Sequence, residues 1–317
     1  MAASGAPSEG WTGRIRRNGR KLMIAVFNRG GGRVSAVRGL AFRSLARFTP
    51  IVAVNGDGVQ YLVSTADRAV GRATFISGGY EGDVMERIIA LTEEATGRVP
   101  LLAGRTFVDV GANIGTTTIP ALLRYGATDA LAFEPAPDSF RLLECNLVLN
   151  GVSSRVQALQ MALSDVTATA TLELSDVWGD RRVRMDGHDR GEDALGEAAW
   201  PTTEVRTARF DDLAAELGVD LDRIGLVWID TQGHEAHVLA GAPSVLERGV
   251  PVVAEYWPYG LRRAGGLDRL HTVAASAYRS FIDVRAPGSA MRPVSELPEL
   301  AAAYPGPYDY TDLLLLA

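Results

Sequence analysis

From Arg105 onward, short runs rich in β-branched and aromatic residues alternate with stretches of helical period. A chain patterned this way can bury its strands in few arrangements other than a mostly parallel sheet flanked by helices. Strands are expected at 106–110, 130–134, 155–163, 224–230, 250–256, 278–284 and 310–316. The stretch 137–150 reads as a helix, with Pro137 where a missing N–H is harmless, Asp138 in the first turn and Asn150-Gly151 as the stop. Residues 168–174 and 203–208 alternate in strand fashion. The polar segment 176–201 between them is too long for a turn and is expected to be a lid or a disordered loop. Upstream, two apolar runs flank Asn55-Gly56-Asp57-Gly58, which favours positive φ and predicts a β-hairpin, and a helix over 82–96 follows. Residues 33–48 have helical spacing, and 1–13 are small and polar enough to be disordered. The chain thus divides into an N-terminal extension, 1–100, and a main domain, 101–317.

Composition narrows the setting. With 47% hydrophobic and 22% charged residues, the chain has enough apolar material for a large core. The single cysteine, Cys145, excludes an internal disulfide and a cysteine zinc site. No run approaches the roughly 18 apolar residues of a membrane-spanning helix, and the N-terminus lacks a signal-peptide core. A cytoplasmic protein without membrane contact is expected. The net charge of −6 conceals an asymmetry. Residues 1–50 carry ten basic side chains (Arg14, Arg16, Arg17, Arg20, Lys21, Arg29, Arg33, Arg38, Arg43 and Arg47) against Glu9. That leaves 22 basic and 37 acidic residues, a net charge of −15, on the remainder. Such an arm can meet nucleic acid, an anionic surface or the body itself, but charge runs are usually solvated, and a solvated arm is the expectation.

The most informative local sequence is FVDVGANIGTTT, 107–118. A buried strand containing Asp109 runs through Gly111-Ala112-Asn113-Ile114-Gly115 into a helix. Glycine permits a sharp turn and a close approach of ligand to backbone, and ligands of open α/β sheets sit beyond the carboxyl ends of the strands. Glu134 ends the next strand, 25 residues after Asp109, where a carboxylate can accept the hydroxyls of a ribose. Together they point to an adenosine-bearing ligand. The loop is G-x-x-x-G and not G-x-G-x-x-G, so a nicotinamide-dependent oxidoreductase is the weaker reading. A glycine turn needed only for packing and a solvated strand end are the purely structural alternatives.

With GYEGDVMERI (79–88), AFEPAPDSFRLLECNLVLN (132–150), ALSD (162–165) and WIDTQGHEAHVLAGA (228–242), this motif resembles, in the same order, the FkbM family of class I S-adenosylmethionine-dependent methyltransferases over 75–242. The resemblance implies a Rossmann-like α/β fold with a seven-stranded, mostly parallel sheet in the order 3-2-1-4-5-7-6, whose antiparallel last strand is 310–316. It implies S-adenosyl-L-methionine as cofactor. It places Asp109, Gly111, Ala112, Asn113 and Gly115 around the methionine portion, Glu134 and Pro135 at the ribose, and Ala162, Ser164 and Asp165 near the adenine. Tyr80 and Glu81 would close over the cofactor from the N-terminal side.

The segment IDTQGHEAHVLAGA puts three ionisable groups, Asp230, His234 and Glu235, at the carboxyl end of a central strand, where an acceptor would lie. They are the catalytic candidates. Asp230 is the first choice for contact with acceptor or cofactor. His234 is a candidate general base, because an ordinary imidazole pKa suits proton removal near neutrality. A helix-surface position is the alternative for His234 and the favoured reading for His237. Their i, i+3 spacing is not that of a zinc-protease helix, and no metal is expected. The family more commonly has Glu where this chain has Gln232. Asp186, His188 and Asp189 could supply a hard cation that uses oxygen ligands, but a flexible acceptor-side loop is the preferred reading. Arg181, Arg182 and Arg184 read as recognition groups for an acidic acceptor or as solvated charges, and Glu255 and Tyr256 are expected on the same rim. The function expected is O-methylation of a small-molecule hydroxyl, on a sugar or a polyketide-type natural product. An amine, carboxylate or nucleic-acid acceptor is the alternative, nucleic acid being the least favoured, and a homo-oligomer is compatible with the sequence.

Overall fold

The computed structural model describes residues 32–56, 58–175, 181–185, 191 and 193–317. Most of the basic arm, the 1–13 segment, Asp57, and the candidate ligands Asp186, His188 and Asp189 lie outside the described residues. The strands, in chain order, are β1 (Ile51–Gly56), β2 (Val59–Ser64), β3 (Thr106–Val110), β4 (Asp129–Phe133), β5 (Val156–Leu159), β6 (Ala162–Leu163), β7 (Ala168–Glu173), β8 (Arg182–Arg184), β9 (Thr202–Ala208), β10 (Ile224–Ile229), β11 (Val252–Tyr256), β12 (Ser280–Asp283), β13 (Met291–Pro293) and β14 (Thr311–Leu316).

The main sheet runs β13-β12-β14-β11-β10-β3-β4-β5. Strands β5, β4, β3, β10 and β11 are parallel, and β14 lies antiparallel between β11 and β12. This is the order 3-2-1-4-5-7-6 with one addition. The seven-strand expectation is corrected to eight by β13, a three-residue strand pairing antiparallel with β12 at the sheet edge. It ends in Pro293, which an edge strand tolerates because one row of its N–H groups has no ladder partner.

Every residue of β3, β10, β11 and β14 is buried. That is why these strands read as continuous apolar runs, for a central strand has both faces covered. The faces alternate residue by residue. Phe107, Trp228, Val253 and Leu314 pack with Tyr61 and Val63 of the hairpin and Met85 and Ile88 of the helix Gly82–Thr96. Val108, Val227, Ala254 and Leu313 face the other way, onto Leu213, Val238 and Leu270. Burial of each large side chain contributes roughly 1.5–3 kcal/mol. The hairpin is tied down by Asn146, whose Oδ1 accepts from Leu62 N at 2.6 Å and whose Nδ2 donates to Ile114 O at 2.9 Å. One side chain thereby links the N-terminal extension to the glycine loop.

The expected strand 155–163 is two strands. Its first part, β5, ends the main sheet; the chain then turns, and β6 pairs with β9 in a separate four-stranded sheet, β6-β9-β7-β8. The pairing of β7 with β9 agrees with the alternation seen in the sequence. The described part of 176–201 departs from a lid or disordered loop: it supplies β8, antiparallel to β7, and the turn Glu197–Ala199. Arg38, grouped above with a solvated arm, is buried and donates to Ile76 O. Among the described residues, no helix is long and apolar enough to cross a membrane.

Candidate active site

A cavity of about 180 Å³ opens at the carboxyl edge of the main sheet, between the glycine loop, the four-stranded sheet and the loops after β10, β11 and β12. At Gly111 the backbone takes φ +91°, and a Cβ there would lie 1.9 Å from the carbonyl oxygen of Asp230. Only glycine lets the β3 and β10 ends approach this closely. Gly111 N and Ala112 N donate to Phe133 O at 2.9 and 3.0 Å, and Asp230 N donates to Val110 O at 2.9 Å. The ends of β4, β3 and β10 are thereby fixed to one another.

Glu134 is buried in this corner. Its Oε2 accepts from Asn113 N at 2.9 Å and its Oε1 from Ala136 N at 2.7 Å. Burial pushes its pKa up to about 7, against the pull of those two N–H groups and of Arg181. Asn113 holds φ +49°, and its buried Oδ1 has no hydrogen-bond partner among the described residues. Tyr80, Glu81, Gly111, Asn113, Glu134, Pro135, Ala162, Asp230 and His234 all line the cavity. Asp109, Ala112, Gly115, Ser164, Asp165 and Glu235, also singled out from the sequence, do not. Asp109 sits behind the loop, where its Oδ2 accepts from the hydroxyls of Thr117 and Thr118, and burial raises its pKa to about 6.

Around Asp230 the structure separates three roles that the sequence left together. Asp230 faces the cavity, with Gln232 Nε2 donating to its Oδ1 at 2.7 Å. Burial, and after it the charge of Glu81, hold this carboxyl well above the ordinary range, while the Gln232 amide opposes them. Glu235 is fully buried beneath the turn, where Oε1 accepts from Thr231 N, Thr231 Oγ1 and Gly233 N at 2.9, 3.0 and 3.1 Å. Its carboxylate shapes the turn. His234 and His237 are buried and stacked, ring centroids 4.6 Å apart, which corrects the surface reading of both. Burial, followed by the neighbouring His237, lowers the His234 pKa to about 3. A neutral imidazole that binds a proton so weakly is a poor general base, so the expectation built on an ordinary imidazole is also corrected. His234 Nε2 lies 3.0 Å from Ser164 Oγ. Arg269 holds Asp165 at 2.7 Å and, against burial, keeps that carboxyl below its usual range.

The far wall comes from residues that sequence reasoning placed otherwise. Glu255 lines the cavity, but Tyr256 points to the opposite face of the sheet, its hydroxyl 2.9 Å from His271 Nε2. Strand alternation alone separates the two. Arg182 and Arg184 are engaged inside the protein: Arg182 Nη2 meets Glu197 at 2.6 Å and its Nε meets Glu173 at 3.2 Å, and Arg184 meets Glu173 at 3.0 Å. Arg182 also lies over the rings of Trp200 and Trp257, at 5.0 and 5.3 Å. Only Arg181 of the three lies beside Glu134. Arg285 and Asp312 were missed. Arg285 donates to Asp312 Oδ2 at 2.6 Å and to Glu81 Oε1 at 2.5 Å. Their signal was available: Arg285 follows the end of β12, and the first residues of an antiparallel β14 must lie at the edge where parallel strands end. No group of three or more metal-ligating side chains occurs among the described residues.

Comparison with known proteins gives the family of the chain. The methyltransferase FkbM domain family matches residues 109–262. Methyltransferase sdnD of Sordaria araneosa is 33% identical over 177 residues, which cover 49% of this chain and 68% of that protein. The 31-O-demethyl-FK506 methyltransferase FkbM of Streptomyces tacrolimicus is 35% identical over 164 residues, 45% of this chain and 61% of that protein. Among solved structures, methyltransferase FkbM from Methylobacillus flagellatus aligns with a TM-score of 0.40 and 14% identity, covering 87% of this chain and 58% of that one. The match covers 68% of the first of these two curated relatives and 61% of the second, so the chain spans only part of their length.

Proposed function

Because the chain belongs to the methyltransferase FkbM family, we propose that it transfers a methyl group from S-adenosylmethionine to a hydroxyl of a small-molecule acceptor. The observation that carries this reading is the meeting, in one cavity, of the Gly111–Asn113 loop, the buried carboxylate of Glu134 and the carboxylate of Asp230. The residues fit the cofactor. Gly111 lets the ends of β3 and β10 close together at the cavity edge, Asn113 Oδ1 is a buried acceptor with no partner among the described residues, and Glu134 is held in place by two N–H groups. Glu134 would hold the ribose, and Met161, Ala162 and Leu163 supply apolar lining for a base. When bound, S-adenosylmethionine supplies an electrophilic methyl group on a sulfonium.

The chain's own part is to position the acceptor, exclude water and accept a proton. Asp230 is the proton acceptor in this reading. Its carboxyl, held above the ordinary range, is a stronger base than a free carboxylate, and the Gln232 amide keeps its ionised form accessible. The O-methyl assignment draws on the FK506 relative, whose name specifies a 31-O-demethyl substrate. The test begins with calorimetry on the full chain. S-adenosylhomocysteine should bind; binding of NAD without it would sink the reading. Incubation of candidate alcohols with isotopically labelled S-adenosylmethionine, followed by mass spectrometry, should then place the label on oxygen.

A further inference from the structure

Beyond Asp230, the cavity wall holds more carboxylates than the protein neutralises. Glu81, Asp230, Glu255 and Asp312 line this side, and Arg285 is the cation facing them. Arg285 bonds Glu81 and Asp312, and Gln232 bonds Asp230. Glu255 is left over. It is 7% exposed, it lines the cavity, and its Oε2 has no hydrogen-bond partner among the described residues. In the β11–β14 ladder it sits directly opposite Asp312, a cross-strand pairing of like charges that destabilises a sheet. Burial, with Asp230 the next cause, holds its carboxyl well above the ordinary range. A buried carboxyl without a partner holds its proton rather than ionise, and a cation brought to it supplies the pairing that lets it ionise. The other lining arginines do not serve it: Arg182 is bound to Glu173 and Glu197, and Arg181 lies at the Glu134 end.

The place of Glu255 separates it from the cofactor end. Strand β11 is the second neighbour of β3, so at the usual strand spacing of about 4.8 Å its end stands roughly 10 Å from the glycine loop. Tyr80 and Tyr310 line the cavity near it, each close enough for the Glu255 charge to push its phenol upward after burial, and Arg285 already lies over the Tyr310 ring. A carboxylate and a ring face together suit an organic cation. We propose that this corner takes a protonated amine of the acceptor, so that the molecule methylated on oxygen also carries an ammonium group seated on Glu255. The inference rests on the methyltransferase reading above.

The test uses the full chain saturated with S-adenosylhomocysteine, which fills the cofactor end with its own ammonium in place. Calorimetric titrations compare glucosamine and trans-4-aminocyclohexanol with their uncharged counterparts, N-acetylglucosamine and cyclohexane-1,4-diol. The amines should bind at least about tenfold more tightly, and Glu255→Gln should erase that preference while leaving S-adenosylhomocysteine affinity within about twofold. Three results overturn the proposal: equal affinity for charged and uncharged members, no binding of either amine, or a collapse of S-adenosylhomocysteine affinity in Glu255→Gln. The last would give the carboxylate to the cofactor. If the wild-type chain does not bind S-adenosylhomocysteine, it is the methyltransferase reading that fails. The amine preference, measured without it, then decides the fate of the cation site separately.

Discussion

At the glycine-loop end of the cavity, Glu134 takes N–H donors from Asn113 and Ala136, all within a short stretch of β3, β4 and their loops. At the β11–β14 end, Glu255 faces Asp312, and Arg285, which lines the same side of the cavity, is already bound to Asp312 and Glu81. Backbone donors come with the fold and persist whatever side chains surround them. A corner built of side chains alone, drawn here from residues 80–81, 230, 255, 285 and 312, can be left unbalanced in charge. The first end therefore suits a ligand that never changes, and the second can be altered one side chain at a time to suit different acceptors.

If the glycine-loop end is as dependent on backbone as this, Gly111→Ala should have the largest effect. The substitution forces φ +91° on a side chain and drives its Cβ to 1.9 Å from the Asp230 carbonyl. S-adenosylhomocysteine binding should fall by at least about a hundredfold, some 2.7 kcal/mol, in a chain whose circular dichroism still reports the fold. Wild-type affinity would break the contrast between the two ends. Asp230→Asn should act on the other side of it. Turnover should drop by about 10²-fold, the low end for loss of a general base, with S-adenosylhomocysteine affinity within about threefold. Equal losses of both would make Asp230 a cofactor residue.

The same contrast explains what was legible in the sequence. The helix Gly82–Thr96 and the strand Thr106–Val110 followed from periodicity within short stretches of chain, and the sheet order from the family that the ordered motifs resemble. Glu134 was found because it lies one strand and one loop from Gly111. The depth of His234 was not, because Glu235–Ala240 is a six-residue helix covered by Leu267–Ala277, and so short a helix has no polar face to read. The split of 155–163 was hidden because Gln160 and Met161 carry no turn signal, although the chain changes sheet there. Arg285 and Asp312 stand more than 200 residues from Glu81, a juxtaposition that the end of β12 and the start of the antiparallel β14 create together.

A smaller effect belongs to pH. With Glu134 near pKa 7, its ionised form, the one that would accept from the ribose in the proposed reading, becomes dominant as pH rises through neutrality. Affinity for S-adenosylhomocysteine should increase several-fold between pH 6 and pH 8. Glu134→Gln should weaken binding by about tenfold at pH 8, in line with loss of charge-assisted hydrogen bonds, and flatten the dependence. A wild-type affinity that is flat over this range would remove Glu134 from the ribose.

The smallest expected effect tests the unbalanced end through stability. A buried group left unsatisfied costs about 1–3 kcal/mol, so Glu255→Gln, which keeps the shape and removes the charge, should raise the melting temperature of the ligand-free chain by a few degrees. The sign with pH follows from the raised carboxyl. Below the ordinary glutamate range, Glu255 is neutral in folded and unfolded chains alike, and the substitution changes little. As pH rises, the unfolded chain ionises first, while the folded chain holds its proton because burial and the charges of Asp230, Glu235, Asp312 and Glu81 oppose ionisation, so wild-type stability falls. The gain from Glu255→Gln should therefore be larger at pH 8 than at pH 5. A variant less stable than wild type at both values would mean that Glu255 is already satisfied within the fold, and the two ends of the cavity would be alike.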